Sequence, residues 1–354
     1  MGMAGLLQIS YKIGIGKNRE EDNRLKVKQW TKYILGKLIK LISLLVAVSI
    51  LSFVLVSNSP IDPVQSYIGA DMNLVSPEQR GNIAAYWGLH DSVVQQFLNW
   101  GKNILSGDLG TSLLYRTPVA EVIQERFLAS LALMSLAWVF SGVFGFILGI
   151  IAGMRQGTWL DKVIKMYCYV IASTPAFWLG LLLLMVFSVW LGWLPIGLGS
   201  PAGILTGEVT FMQRIQHLIL PAVTLSVVGV SNIALHTRQK LIDILDKEFI
   251  RYARAKGEAG FRLFWRHGFR NTMVPAISIH FASFGELFGG AVLAEQVFSY
   301  PGLGQAVVQA GLGGDVPLLL GIVLFTTIFV YIGNLLADLL YRVIDPRIRR
   351  GTLS

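Results

Sequence analysis

The chain has 354 residues, of which 53% are hydrophobic and only 14% charged, about half the charged fraction of an ordinary soluble domain. A net charge of +9 would suggest nucleic acid in a soluble protein, but here the basic residues sit in loops between apolar runs, which is how a membrane protein is oriented. Cys168 is the single cysteine, so an intrachain disulfide and a thiolate metal cluster are both excluded, and its apolar surroundings mark it as a small buried hydrophobe.

Residues 1–33 form a polar, basic arm carrying Lys12, Lys17, Arg19, Arg24, Lys26, Lys28 and Lys32, expected to be mobile or surface-bound. The first span follows at residues 34–57, with its apolar core from Leu41 to Ser57. A cleaved signal peptide would have a shorter apolar core nearer the amino terminus and a small-residue cleavage site, so an uncleaved span is favoured. Residues 58–126 form a polar insertion rich in acids and holding only four basic residues. Ser76-Pro77-Glu78-Gln79 is a helix start: serine caps, proline suits the first turn, and glutamine closes a capping box. Thr117-Pro118 is another, so the insertion reads as a small helical structure.

Residues 127–343 hold five further spans. The second covers about Phe127–Gly153, with Gly142, Gly145, Gly149 and Gly153 forming a small-residue stripe. Such a stripe lets helices approach closely in lipid; a substrate groove is the alternative. The third covers about Met166–Trp193, kinked at Thr174-Pro175 and closed by Trp190 and Trp193 as an interfacial belt. The fourth is expected near His217–Thr237, the fifth near Thr272–Leu293 and the sixth near Leu318–Leu340, before a tail at residues 344–354. Lys and Arg number nine before Leu41, three in loop 154–165, nine in loop 238–270 and four after Leu340, against five in the other three connections. That alternation with six spans predicts both termini in the cytoplasm, the acidic insertion outside and loop 238–270 inside.

Glu248–Pro275 concentrates the cytoplasmic charge, with Arg251, Arg254, Lys256, Arg262, Arg266 and Arg270 against Glu248 and Glu258. It begins with helical patterning through Phe249, Ile250, Ala253 and Ala255 and breaks at Gly257. Arg251-Tyr252-Ala253-Arg254-Ala255-Lys256-Gly257, with Pro275 eighteen residues further on, resembles the coupling motif of ABC-importer permeases in the longer-spaced form of the dipeptide/oligopeptide/nickel family. Asp62-Pro63-Val64, Gly107–Ser112, Phe177–Gly180, His217–Pro221, Glu295–Gly304 and Asp345-Pro346-Arg347 are similar to that family in the same order. The long insertion matches its B-type subunit. Arg251 and Tyr252 stand where the general ABC pattern has an acid and an alanine, as in this subfamily, and Glu286 stands where a small or apolar residue is usual.

The resemblance implies an all-α membrane protein with six transmembrane helices and the type I ABC-importer permease fold. It implies a heterodimer with a homologous second permease, two ATP-binding subunits, and an external solute-binding protein, in a prokaryotic inner membrane. ATP and Mg would sit on the ATPases. Gly-Lys occurs at 16–17, 36–37 and 101–102 but never within the phosphate-cradling pattern, so the chain itself is expected to bind no cofactor or metal and to catalyse nothing. Phe249, Arg251, Tyr252, Ala253, Arg254, Ala255, Lys256 and Gly257 would dock the ATPase; the bland alternative is a solvated basic loop obeying the charge rule.

Acids inside spans are costly, which makes Glu286 a candidate for the translocation path. Glu295 reads instead as an outer-interface residue and Asp338 as a packing contact. His217, His236 and His280 show no ligand spacing. Peptide is the expected cargo, with nickel or a metal chelate as the alternative. An ion-gradient transporter would favour inverted repeats, and none is evident; an intramembrane enzyme would need motifs that are lacking.

Overall fold

The computed structural model describes residues 31–59, 63–68, 75–86, 90–204 and 208–344. Most of the amino-terminal arm, the carboxy-terminal tail, Asp62 and Asp345-Pro346-Arg347 lie outside them. The chain divides into two compact units, residues 1–52 and 53–354. The described part of the first is helical and continues into the second as α1, Thr31–Ser57. The insertion contributes α2 (Pro63–Ile68), α3 (Pro77–Tyr86) and α4 (Val93–Leu105). At the start of α3 the expected reciprocal box is present: Gln79 N donates to Ser76 Oγ at 3.2 Å, and Ser76 N to Gln79 Oε1 at 3.0 Å.

Then come α5 (Val119–Met154), α6 (Trp159–Ala172), α7 (Ala176–Leu184) with a π-helical extension to Trp190, and α8 (Phe211–Leu245). The basic segment gives α9 (Glu248–Ala255) and α10 (Gly260–Leu263), which runs through a π turn into α11 (Phe269–Ala282). The last three are α12 (Phe284–Val297), α13 (Leu303–Leu312) and α14 (Val316–Ile344). Among the described residues there is no strand. Four helices, α1, α5, α8 and α14, are long and apolar enough to cross a membrane singly, and two bent pairs pass as broken spans.

The helices run past the apolar runs that announce them. α5 starts at Val119, inside the stretch read as insertion, and α8 continues to Leu245, well into the basic loop. The expected single third span is two helices, α6 and α7, meeting at 106°. The cause is local: Pro175 has no N–H to give the Ile171 carbonyl, which accepts from Thr174 N at 3.0 Å instead, and Thr174 Oγ1 donates to the Val170 carbonyl at 2.7 Å. The fifth span is α10–α11 joined to α12 with a 54° bend at Ser283.

The core is built along α5, and α8 is its principal neighbour. Gly145 meets Ile233, Gly149 meets Thr237 and Gly153 meets Leu241, while Ser141 meets Gly229 from the other side. Each pair is 88 residues apart (229 − 141, 233 − 145, 237 − 149, 241 − 153), so the two helices lie parallel in one register through four contacts. The glycine stripe is thus a packing seam. Because α5 and α8 point the same way, α6, α7 and the loop after them must carry the chain back to the end where α5 began.

Three clusters mark successive levels of α5. Val119, Val122 and Ile123 pack with Leu303, Ala306, Leu318 and Ile322 of α13 and α14. Leu133, Met134 and Ala137 pack with Leu220 and Leu225 of α8, Leu287 and Ala291 of α12, and Phe298. Ala152 closes the far end with Ile164, Ala234 and Cys168, which is fully buried as its sequence context suggested.

The seam makes a direct prediction. A β-carbon at position 149 would lie 2.5 Å from Thr237 Cβ and 2.7 Å from the Ala234 carbonyl, with backbone on one side and a β-branched chain on the other. Gly149→Val should destabilise the chain by about 1–3 kcal/mol through overpacking. It should lower the thermal midpoint in detergent followed by fluorescence-detected size exclusion. Gly101→Ala, where nothing lies within 4 Å, should not.

Candidate coupling surface and translocation cavity

The basic segment folds as an amphipathic hook. Ile250 and Ala253 of α9 turn inward and pack with Leu263 and the partly buried Ile244 and Leu245. Phe249, Arg251, Tyr252, Arg254, Ala255 and Lys256 face outward, with the Lys256 ammonium 4.5 Å from the centre of the Tyr252 ring. Of the eight positions singled out from the motif, Ala253 is the one that supports the helix from beneath. The helix stops because Gly257 takes φ +89°, a left-handed conformation. Gly257 N then donates to the Arg254 carbonyl at 2.9 Å and Glu258 N to the Ala253 carbonyl at 3.2 Å, a complete Schellman closure. The Glu258 carboxylate turns back onto the next segment, accepting from Arg266 at 3.1 Å and lying 2.9 Å from His267 Nε2.

The hook hangs from the end of α8, and that end is anchored. Arg238 pairs in fork geometry with Asp161 of α6, Nε to Oδ1 at 2.5 Å and Nη2 to Oδ2 at 2.8 Å. Asp161 is fully buried, also accepts from Gly157 N at 2.9 Å, and has Lys165 at 4.0 Å. Sequence reading counted Arg238 and Asp161 as loop charges; their separation of 77 residues hid the pair.

Midway along α8, the helices α5, α7, α8, α11 and α12 line an open-sided cavity of about 410 Å³, in which Asn232, His236 and Glu286 are exposed. Ser141, Thr224, Asn232, His236, Ser283 and Glu286 supply its polar lining among apolar neighbours such as Leu225, Ile279 and Leu287. Ser141, Thr224 and Ser283 are bonded to carbonyls of their own helices. The Asn232, His236 and Glu286 side chains make no hydrogen bond among the described residues. Glu286 lines the cavity beside Asn232 and His236, which stand one turn apart on α8 and which sequence reading did not connect with it.

The other acids have different work. Glu295, read as an outer-interface residue, is fully buried: it accepts from Ser130 Oγ at 2.6 Å and from Gln305 N at 3.1 Å, while Ser130 Oγ accepts from Leu303 N at 2.8 Å. It thereby holds the first turn of α13, where free N–H groups need an acceptor. Asp315 does the same for α14, accepting from Leu318 N at 3.1 Å and from Ser112 Oγ at 2.5 Å and Leu114 N at 3.0 Å across the fold. Leu318 lies within three residues of Asp315, but Ser130, Ser112 and Leu114 come from distant segments that neither sequence neighbourhood announced.

The three histidines that raised a metal pathway are dispersed. His217 Nδ1 lies 2.7 Å from the Gly197 carbonyl, His280 stacks on Trp138 at 4.1 Å, and His236 lines the cavity. Among the described residues no three His, Cys, Asp or Glu side chains gather as a metal site.

A multi-helix membrane bundle with an open cleft that presents polar side chains among apolar ones is the build of a membrane permease, a channel component of the bacterial cell membrane. The chain belongs to the family of binding-protein-dependent transport system inner membrane components, whose model matches residues 145–350. It is 34% identical over 317 residues to the oligopeptide transport system permease protein AppB of Bacillus subtilis, covering 89% of this chain and 98% of that one. It is 34% identical over 323 residues to a putative peptide transport system permease of Brucella abortus, covering 90% and 99%. It is 36% identical over 318 residues to the glutathione transport system permease GsiC of Escherichia coli, covering 90% and 98%.

Removing one member of a buried ion pair strands the other's charge and costs about 3–5 kcal/mol. Arg238→Ala and Asp161→Ala should each lower the thermal midpoint sharply. The double variant Asp161→Leu/Arg238→Met should recover much of the loss, as a double-mutant cycle of midpoints would reveal.

Proposed function

We propose that this chain is the B-type, six-span permease subunit of an ATP-driven importer that carries peptides. The observation that carries the reading is the match over nine-tenths of the chain to permeases whose names specify oligopeptide, peptide and glutathione transport. Counting each bent pair as one span gives six. The parallel run of α5 and α8 supports counting α6–α7 as a single return, and the Lys and Arg distribution supports cytoplasmic termini and an external insertion.

In this reading the exposed face of α9 docks in an ATPase groove, and ATP and Mg are bound there by two partner subunits. Closure of that pair displaces α9. The displacement passes into α8, a helix stiffened along its length by the seam with α5, so that the cavity opens alternately to each side. Coupling of this kind needs an element with two discrete positions, which a packed helix pair supplies and a slack loop does not. A second, homologous permease completes the path, and an external binding protein delivers the cargo. Glu286, with Asn232 and His236, lines this chain's share of the route.

The decisive experiment is uptake by the co-expressed permeases and ATPases in vesicles with the binding protein present. Labelled peptide should accumulate with ATP and not with an ion gradient alone, and nickel or a nickel chelate should not compete. Accumulation driven by an ion gradient without ATP would instead establish a secondary transporter.

Two substitutions test the assigned surfaces. Arg251→Glu/Arg254→Glu reverses two exposed charges on α9 and should leave the chain folded in the membrane while lowering ATP-driven uptake at least about tenfold, the effect of losing roughly 1.4 kcal/mol of docking or coupling. Glu286→Gln keeps the side-chain shape and should alter KM or kcat for uptake without changing the thermal midpoint; unchanged kinetics would remove Glu286 from the route.

A further inference from the structure

The insertion contains a helix whose apolar face, among the described residues, is left largely exposed. α4 is well closed at both ends: Gln95 N donates to Ser92 Oγ at 3.3 Å, and Ser106 Oγ donates to the Asn103 carbonyl at 2.8 Å. Its 13 residues make about 20 Å of helix, too short to cross a bilayer. Val93, Val94, Phe97, Leu98, Ile104 and Leu105 fall on one face, and Gln95, Asn99, Lys102 and Asn103 on the other. Among the described residues none of α4 is buried; Val94 is 68% exposed, Leu98 58% and Leu105 92%.

One contact fixes the depth of this face. Phe97 meets Phe53 of α1 edge-on, ring centres 5.2 Å apart, and Trp100 continues the aromatic group 5.7 Å from Phe97. Phe53 lies four residues before Ser57, the last residue of α1, hence about 6 Å along the axis from its outer end. An interfacial helix seats its apolar face about 5–10 Å into the boundary between headgroups and acyl chains. Val54 and Leu55, beside Phe53, are themselves exposed, so α1 presents exposed apolar side chains next to the apolar face of α4.

We propose that α4 lies flat in the outer leaflet of the membrane, with Val94, Leu98 and Leu105 in the acyl region and Gln95, Asn99 and Asn103 in water. The partner is lipid. Because Lys102 is the helix's single charged residue, seating is driven by apolar burial and needs no anionic headgroup. The insertion is thereby tied to the membrane surface beside the first span.

The test uses the full transporter, co-purified with its partner subunits and carrying Cys168→Ser, in vesicles of phosphatidylethanolamine and phosphatidylglycerol. Single cysteines at positions 94, 98 and 105, at 95, 99 and 103, and at 55 as a span control, are spin-labelled. Collision rates with oxygen, which partitions into lipid, and with a neutral nickel chelate, which stays in water, are then compared. The expected result is a severalfold preference for oxygen at 55, 94, 98 and 105, and the reverse at 95, 99 and 103. Replacing phosphatidylglycerol with phosphatidylcholine should leave the pattern intact. Nickel access at 94, 98 and 105 would show the face in water, and exclusion of both reagents would show a protein covering it; either overturns the proposal. Loss of the pattern without anionic lipid would overturn it too. A lipid signal at 55 in any of these cases leaves the membrane crossing of α1 standing.

Discussion

The close approach of α5 and α8 is the constraint from which the rest of this structure follows. In lipid there is little hydrophobic drive to bring helices together, so association rests on dispersion contacts and on backbones that can come near each other. Gly145, Gly149 and Gly153 allow that approach, and Ile233, Thr237 and Leu241 fill the space left by the missing side chains. The constant spacing of the contacts makes the pair a straight parallel unit. The other helices are then placed by the residues α5 and α8 leave free: α13 and α14 at one end, α7 and α12 in the middle, α6 at the other end.

Among the described residues the buried acids are Asp161, Glu295 and Asp315, and each is answered by hydrogen bonds. Asp161 and Arg238 fix the end of α8 from which α9 hangs. Glu295 and Asp315 hold the first turns of α13 and α14, and Asp315 also holds the loop through Ser112 and Leu114. An unanswered charge in such surroundings would be strongly destabilising, so these acids keep the ends of the bundle in one arrangement. The middle differs: Asn232, His236 and Glu286 face a cavity instead of one another. A permease of the proposed kind needs that division, with fixed ends to receive a push and a centre whose polar groups are left for something that passes through.

Acidic residues in apolar surroundings show how one sequence feature can have two meanings. Glu286 and Glu295 are nine residues apart and, by the cost of burial, equally suspect. The bend at Ser283 and the course of α12 turn the first toward the cavity and the second toward Ser130 on α5. Composition and periodicity carry no information on that choice, because it depends on which distant hydroxyl or amide lies opposite.

The amino-acid sequence by itself determined the class of protein, the glycine seam, the capping box at Ser76, the burial of Cys168 and the helical, glycine-stopped form of the segment after Glu248. These are set by local properties: hydropathy over some twenty residues, the spacing of small side chains, and the conformational reach of glycine and proline. Tertiary structure alone decided that Arg238 answers Asp161, that Glu295 meets Ser130 and Asp315 meets Ser112, and that Asn232 and His236 share a cavity with Glu286. The reason is physical: each is a relation between groups far apart along the chain, and a polar side chain's role is fixed by the partner that packing brings within hydrogen-bond reach.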